Sequence, residues 1–166
     1  MNGMFKLGDY VTNAANGVCK IEDKLTMNLT GTSKEYFLLI SQYDGNSKAY
    51  IPVESAPLRV RPVMEENEAK ELLEHLKEAN EVPVEIEKQR EIAYKSAINS
   101  NQARALASLY RTTYLRRQRR LMEGKKTNSV DERYYKQVEG QLCNELAFVL
   151  HLPRTDVKEM ILASIQ

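Results

Sequence analysis

The chain has 166 residues, 42% hydrophobic and 28% charged, with a formal net charge of +1, a balance that excludes wholesale disorder and suits one domain or two small ones. No apolar run approaches the roughly 20 residues that span a bilayer, and Met1–Asp9 has no apolar stretch of the kind a secretory signal needs. Two cysteines, Cys19 and Cys143, and two histidines, His75 and His151, are too few and too scattered for a metal site, so the expectation is a reduced, cytoplasmic protein without disulfides, metal or cofactor.

In chain order, Tyr10–Thr12 and Val18–Ile21 read as a hairpin turned by Asn16-Gly17, a dipeptide whose residues both tolerate positive φ. Glu22–Leu29 continues as extended chain into a turn at Thr30–Ser33. Glu35–Ile40 is apolar without alternation, as in a strand buried on both faces. After a turn at Asp44–Ser47, Lys48–Val53 alternates, and Pro52, which has no N–H to donate, places it at or near a sheet edge. Leu58–Arg61 alternates too, as a short fifth strand. Five short strands in so little chain predict a small SH3/Tudor-like barrel.

Composition changes at Pro62-Val63, and helical periodicity takes over. Glu65–Ala79 presents Ala69, Leu72, Leu73 and Leu76 on one face. A second helix is expected over Val84–Ile98, with a turn and N-cap at Asn99–Asn101. Gln102–Met122 is the longest helix, with Leu106, Leu109, Tyr110, Thr113 and Tyr114 along one side and Gly124 as its stop. A capping box at Ser129–Glu132 opens the next helix, striped by Tyr135, Val138, Leu142, Leu146 and Val149. Thr155 caps a last helix through Val157, Met160, Ile161 and Ile165. The fold class is thus α+β in two domains: a five-stranded β domain over 1–63 and an all-α domain of about five helices over 64–166.

Charge divides sharply along the second half. Residues 65–87 carry nine Glu against Lys70 and Lys77, and residues 88–126 carry eleven Lys or Arg against Glu91 and Glu123. A basic block of this kind suits the duplex backbone, bound in a salt-dependent and largely sequence-independent way. Lys88, Arg90 and Lys95 lie on one expected helix and Arg104 and Arg111 on the next, followed by Arg116-Arg117-Gln118-Arg119-Arg120. Tyr94, Tyr110 and Tyr114 are interleaved as possible stacking partners. The competing reading is that the arginine run neutralises the Glu-rich first helix internally. For the strand Lys48–Val53, the alternatives are sheet extension by a partner and an edge blunted by Lys48 and Pro52 against aggregation.

Catalysis finds no support in the residue pattern. Neither histidine has a nucleophile or acid at a recognisable spacing, the glycines form no phosphate loop, and the cysteines read as small buried hydrophobes. No catalytic residue, small-molecule substrate or membrane partner is therefore expected.

The runs FKLGDYV, NGVCKIED, KEYFLLIS and YIPVESAPLRVRPV resemble the CarD/CdnL family of bacterial RNA polymerase-binding transcription regulators. The resemblance implies a Tudor-like domain that docks on the polymerase β subunit by sheet extension. The matching positions are Met27 and Leu29 on one strand and Lys48, Ala49, Tyr50 and Ile51 on another, with Met27 and Tyr50 standing where family members often carry arginine. It also implies a helical domain touching promoter double-stranded DNA at the upstream edge of the bubble, where Arg90 matches one of the family's basic positions and Lys88 and Lys95 lie close by, and so a modulator of open-complex stability located with the nucleoid; the charge pattern adds Arg104 and Arg111 as further basic candidates. The family's wedge Trp is absent; its position falls near Glu87, with Ile86 or Tyr94 as replacements. The alternatives are a stand-alone, non-specific double-stranded nucleic-acid binder and a polymerase-bound adaptor or repressor without productive DNA contact.

Overall fold

A computed structural model describes residues 5–166; Met1–Met4, part of the stretch read for a signal, lie outside the described residues. The chain divides between Val63 and Met64 into two compact units.

The first unit is an antiparallel sheet in the order β4-β3-β2-β1-β5, formed by β1 (Tyr10–Asn13), β2 (Gly17–Met27), β3 (Lys34–Ser41), β4 (Lys48–Pro52) and β5 (Arg61–Pro62). The opening hairpin is wider than expected. Asn13 pairs with Gly17 across a three-residue loop, the Asn13 side chain accepts the Asn16 N–H at 2.7 Å, and Gly17 takes the positive φ of +69°. Asn16-Gly17 is therefore the exit of the loop and not its whole turn.

Register settles which side of β3 is core. Leu39 lies opposite Ile21 and Ala49, Phe37 opposite Ile51, and these join Val11, Cys19, Ala56 and Val60 in one apolar cluster. On the other face Leu38 and Ile40 are only half-buried, which corrects the expectation of a strand buried on both sides. Glu22 is the extra residue of a bulge between the pairs Ile21–Leu39 and Asp23–Leu38.

The predicted fifth strand at Leu58–Arg61 is also corrected. Ala56–Arg59 forms a helical turn (α1) with Pro57 at its start, where a missing N–H costs nothing, and Leu58 projects outward, 90% exposed. Only Arg61–Pro62 pairs, with β1. Among the described residues β4 and β5 are the two edges of the sheet.

The second unit holds α2 (Glu66–Glu74), α3 (Arg90–Ser100), α4 (Ala103–Met122), α5 (Ser129–Leu150) and α6 (Arg154–Ile165). Boundaries shift where a better local partner exists. Residues 79–86 stay out of helix after Leu76–Glu78, with Val82 N–H donating to Thr112 Oγ1 at 2.8 Å; a 3-10 turn at Glu87–Gln89 then leads into α3. Asn128 caps α5 by accepting from Val130 N and Asp131 N, so Ser129 is the first helical residue and not the cap. Likewise α6 starts after Pro153, with Thr155 inside its first turn. Gly124 closes α4 as foreseen, at φ +72°, with Lys125 N–H to Arg120 O at 2.9 Å and Gly124 N–H to Leu121 O at 3.0 Å, the paired bonds of a Schellman ending.

Leu109, Tyr110, Val138, Leu142, Leu146 and Val157 are fully buried between the helices, whereas Met160 is 38% exposed. Two carboxylates are buried with them. Glu145 accepts the Met64 N–H at 2.8 Å. Asp131, with no exposed surface, accepts from Tyr94 Oη at 2.7 Å and from Arg116 Nε at 2.8 Å, so one side chain of α5 holds a residue of α3 and one of α4.

Two stability predictions follow from this packing. Leu39→Ala should cost about 2–5 kcal/mol, and Leu38→Ala less than half as much, because only the first opens a cavity in the core; denaturant titration of the two variants checks the order. Asp131→Ala should cost about 3–5 kcal/mol, since it leaves the Arg116 guanidinium without its buried counter-charge. In a Tyr94→Phe background that substitution should cost less than in the wild type, because one of its bonds is already gone, and thermal unfolding of the four proteins measures the difference.

Candidate functional site

Two surfaces remain once the core is assigned, one on each unit. On the sheet, β4 pairs with β3 on one side only, and its other side offers backbone N–H and C=O groups with no ladder among the described residues. Pro52 withholds one donor at its end. Cross-strand pairs set what accompanies this edge. Tyr10, Lys20, Ile40 and Lys48 lie in one row across four strands, and Tyr50 sits opposite Leu38. Tyr50 is 45% exposed, Lys48 is exposed and Ala49 half-buried. The result is a face that mixes aromatic, apolar and basic side chains, with Lys48 and Tyr50 beside an open edge.

The other expected positions are arranged differently. Ile51 is buried in the sheet core, so it can offer a partner only its backbone. Met27 ends β2 and pairs with Lys34, while Leu29 lies beyond the strand, 64% exposed. Because β3 separates β2 from β4, Met27 and Leu29 do not flank the open edge; they lie past the Pro52 end of β4.

On the helical unit, most of the basic block is engaged within the protein. Arg90 grips Glu87 with two bonds, Nε to Oε2 at 2.7 Å and Nη2 to Oε1 at 3.1 Å, and donates from Nη1 to Tyr94 Oη at 3.2 Å. Arg111 pairs with Glu81 at 3.7 Å. Arg116 is held by Asp131, and Arg117 by Glu132 at 2.9 Å, with its guanidinium 4.1 Å from the Tyr135 ring centre. Arg120 caps its own helix end by donating to Lys126 O at 2.6 Å. Outside the block, Arg133 bonds Glu91. Internal neutralisation is therefore real, but the partners of Arg116 and Arg117 lie on α5 and the 3-10 turn and not on the Glu-rich α2.

Electrostatics follow these contacts. The Arg90 guanidinium holds the Glu87 carboxyl below its ordinary range despite a small opposing effect of burial, and Arg117 does the same for Glu132. Burial, with help from Asp131, pushes the Tyr94 hydroxyl up to about 12. The interleaved tyrosines are not stacking platforms. Tyr94 and Tyr110 have no exposed surface and Tyr114 is 7% exposed; Tyr110 packs 6.2 Å from Tyr114 and 5.3 Å from Tyr135, centre to centre. Of Ile86 and Tyr94, the two residues expected in place of the wedge Trp, only Ile86, 49% exposed, reaches the surface.

Lys88, Lys95 and Arg104 are exposed and without an ion-pair partner among the described residues. They are not gathered on one patch. Arg104 and Arg111 are seven residues apart on α4 and share a face. Arg104 lines a groove of about 470 Å³ with Glu68, Glu71 and His75. Lys88 and Lys95 flank Arg90 on the 3-10 turn and α3. Sequence reasoning missed Arg116 as a companion of Arg90, and a helix-to-helix pairing of this kind leaves no local signal.

The groove beside Arg104 has no paired nucleophile and base: its imidazole, His75, is 3.2 Å from Glu78 Oε2. Both thiols are buried, and burial pushes each up to about 11, which suppresses the thiolate. Among the described residues no three His, Cys, Asp or Glu side chains are grouped to share a metal ion, and no helix is long and apolar enough to cross a membrane.

No curated protein matches the chain. Residues 5–64, the sheet unit, match the family model of the CarD-like/TRCF RID domain, and helices α2–α6 lie outside that match. The N-terminal unit is thus similar to the CarD-like/TRCF RID domain, a family of non-enzymatic interaction domains, a likeness consistent with a CarD/CdnL-type RNA polymerase-interacting protein.

Proposed function

We propose that the chain is a two-part transcription regulator. Its RID domain binds the RNA polymerase β subunit by extending a sheet across β4, and its helical unit contacts promoter DNA at the upstream edge of the bubble and alters open-complex stability. The observation that carries this reading is the open β4 edge, with Lys48 and Tyr50 exposed beside it, in a unit matched by a polymerase-interaction domain. Main-chain bonds along an edge supply affinity, and side chains that alternate beside it supply selectivity. Lys48, Ala49 and Tyr50 are the central contacts, Ile51 contributes backbone, and Met27 and Leu29 are peripheral. On the helical unit, Lys88, Arg90 and Lys95 form the DNA contact, with Arg104 and Arg111 secondary.

A second reading has its own support. Arg90, Arg111, Arg116 and Arg117 are all neutralised within the protein, which favours a polymerase-bound adaptor or repressor without productive DNA contact.

Two experiments on the full chain test these readings. Lys48→Glu/Tyr50→Ala should weaken capture of purified RNA polymerase at least about tenfold, the scale of an interface hot spot, with an unchanged thermal unfolding curve; full retention by the variant would remove β4 as the docking edge. Lys88→Glu/Lys95→Glu should keep polymerase binding but change the lifetime of promoter open complexes. An unchanged lifetime, with polymerase still bound, would instead establish the adaptor reading.

A further inference from the structure

Arg90 and Arg116 come from different helices, α3 and α4, yet both guanidiniums converge on the carboxylate of Glu87. Oε2 of Glu87 lies 2.7 Å from Arg90 Nε and 3.8 Å from Arg116 Nη2. The two arginines are fixed from beneath by groups that do not depend on Glu87. Arg116 is held by Asp131, which has no exposed surface, and Arg90 donates to the Tyr94 hydroxyl, itself bonded to Asp131. Their side chains are 22% and 14% exposed, whereas the Glu87 side chain is 67% exposed and stands on a three-residue 3-10 turn. A buried frame thus presents two guanidiniums toward solvent, and one exposed carboxylate covers them.

We infer that Arg90 and Arg116 form a phosphodiester-binding site that Glu87 occupies as an internal counter-anion, to be displaced when the helical unit meets a nucleic-acid backbone. The inference rests on the DNA-contact reading above and deepens it by adding Arg116 and assigning Glu87 an opposing role. Guanidiniums bind phosphate oxygens with the same paired N–H geometry that Arg90 uses on Glu87. Charge agrees with the exchange. With Glu87 in place the set Arg90, Arg116, Asp131 and Glu87 is neutral; with Glu87 swung out it carries one positive charge, which one phosphate matches. Lys88, next to Glu87 in sequence, and Lys95 on α3 are exposed and stay available for neighbouring phosphates. Glu87 is ionised at neutral pH, since Arg90 holds its carboxyl below the ordinary range, so the competition is between two anions and does not await protonation. The consequence is a weak affinity for free duplex, which rises only where the polymerase holds the DNA close by.

The test measures binding of the full chain to a fluorescein-labelled duplex by anisotropy across a salt series. Glu87→Gln should tighten binding about three- to tenfold at low salt and steepen the slope of log K against log salt by about one unit, the signature of one further phosphate neutralised. Glu132→Gln makes the same change in net charge but frees Arg117, on the Tyr135 ring; it should leave the slope unchanged. Adding Arg90→Gln to Glu87→Gln should abolish the gain, with circular dichroism and thermal unfolding confirming the fold. Equal tightening by Glu87→Gln and Glu132→Gln would overturn the inference in favour of a net-charge effect. No change on Glu87→Gln, while Lys88→Glu/Lys95→Glu still loses binding, would overturn it and leave the DNA contact standing. Duplex binding that none of these variants alters would overturn both.

Discussion

The helical unit depends on one buried carboxylate. Asp131 sits in the first turn of α5, whose opening N–H groups are capped by Asn128, and it reaches Tyr94 on α3 and Arg116 on α4. An ionised carboxylate removed from water is costly unless it is paired and hydrogen-bonded, and here both bonds come from helices that must be in place to supply them. The constraint works in both directions: the helices satisfy the charge, and the charge sets their register more sharply than Leu–Leu contacts, which tolerate sliding. The outer layer inherits that register. Arg90 shares the Tyr94 hydroxyl, Glu87 shares Arg90 and Arg116, and so the exposed layer is positioned by a buried group.

The sheet unit solves a different problem. Its apolar cluster lies on one face, because Phe37, Leu39, Ile21 and Ile51 all face the same way, and the bulge at Glu22 shifts the alternation of β2, so that beyond it Lys24 stands opposite Phe37. A long strand that twists through a bulge covers the core without requiring a longer β4. What remains is a five-residue edge with one proline, short enough to resist self-association and open enough for a partner to extend.

How much of this was legible in the sequence depended on the range of the interaction. Strand β4 as an edge followed from Pro52, and the stop of α4 from Gly124, since both are local backbone effects. The apolar stripes of α4 and α5 were likewise visible, apart from the partial burial of Val149. Failures had local competitors of nearly equal quality. Asn128 and Ser129 are both good caps, and only one accepts the first N–H groups. Leu58–Arg61 alternates like a strand, yet Pro57 starts a helical turn there. The basic block was the least legible part. Eleven cations in 39 residues look like a nucleic-acid surface, but four of the arginines find their partners at Asp131, Glu132, Glu87 and Glu81. Such pairings are set by tertiary packing, and the spacing of charges along the chain does not encode them. The tyrosines misled for the same reason: residues that alternate with arginine on paper are on the buried side of the helix in three dimensions.

Internal pairing of so many arginines fits a tethered role better than a free-standing one. A protein that finds DNA by itself needs several unengaged cations, because each neutralised phosphate adds to an affinity that salt erodes. A protein delivered by a polymerase meets the duplex at an effective concentration set by the tether, commonly in the millimolar range for a short connection. Under those conditions a few exposed charges such as Lys88 and Lys95 suffice, and additional free arginines would add binding to DNA everywhere else. Arginines held in reserve by carboxylates are a way to have both: they give the fold its register while the chain is free, and a partner that arrives with its own anions in the right place can compete for them. Selectivity then comes from what the arginines are doing beforehand, and Glu87, as the one exposed carboxylate over a buried frame, is where that competition is cheapest.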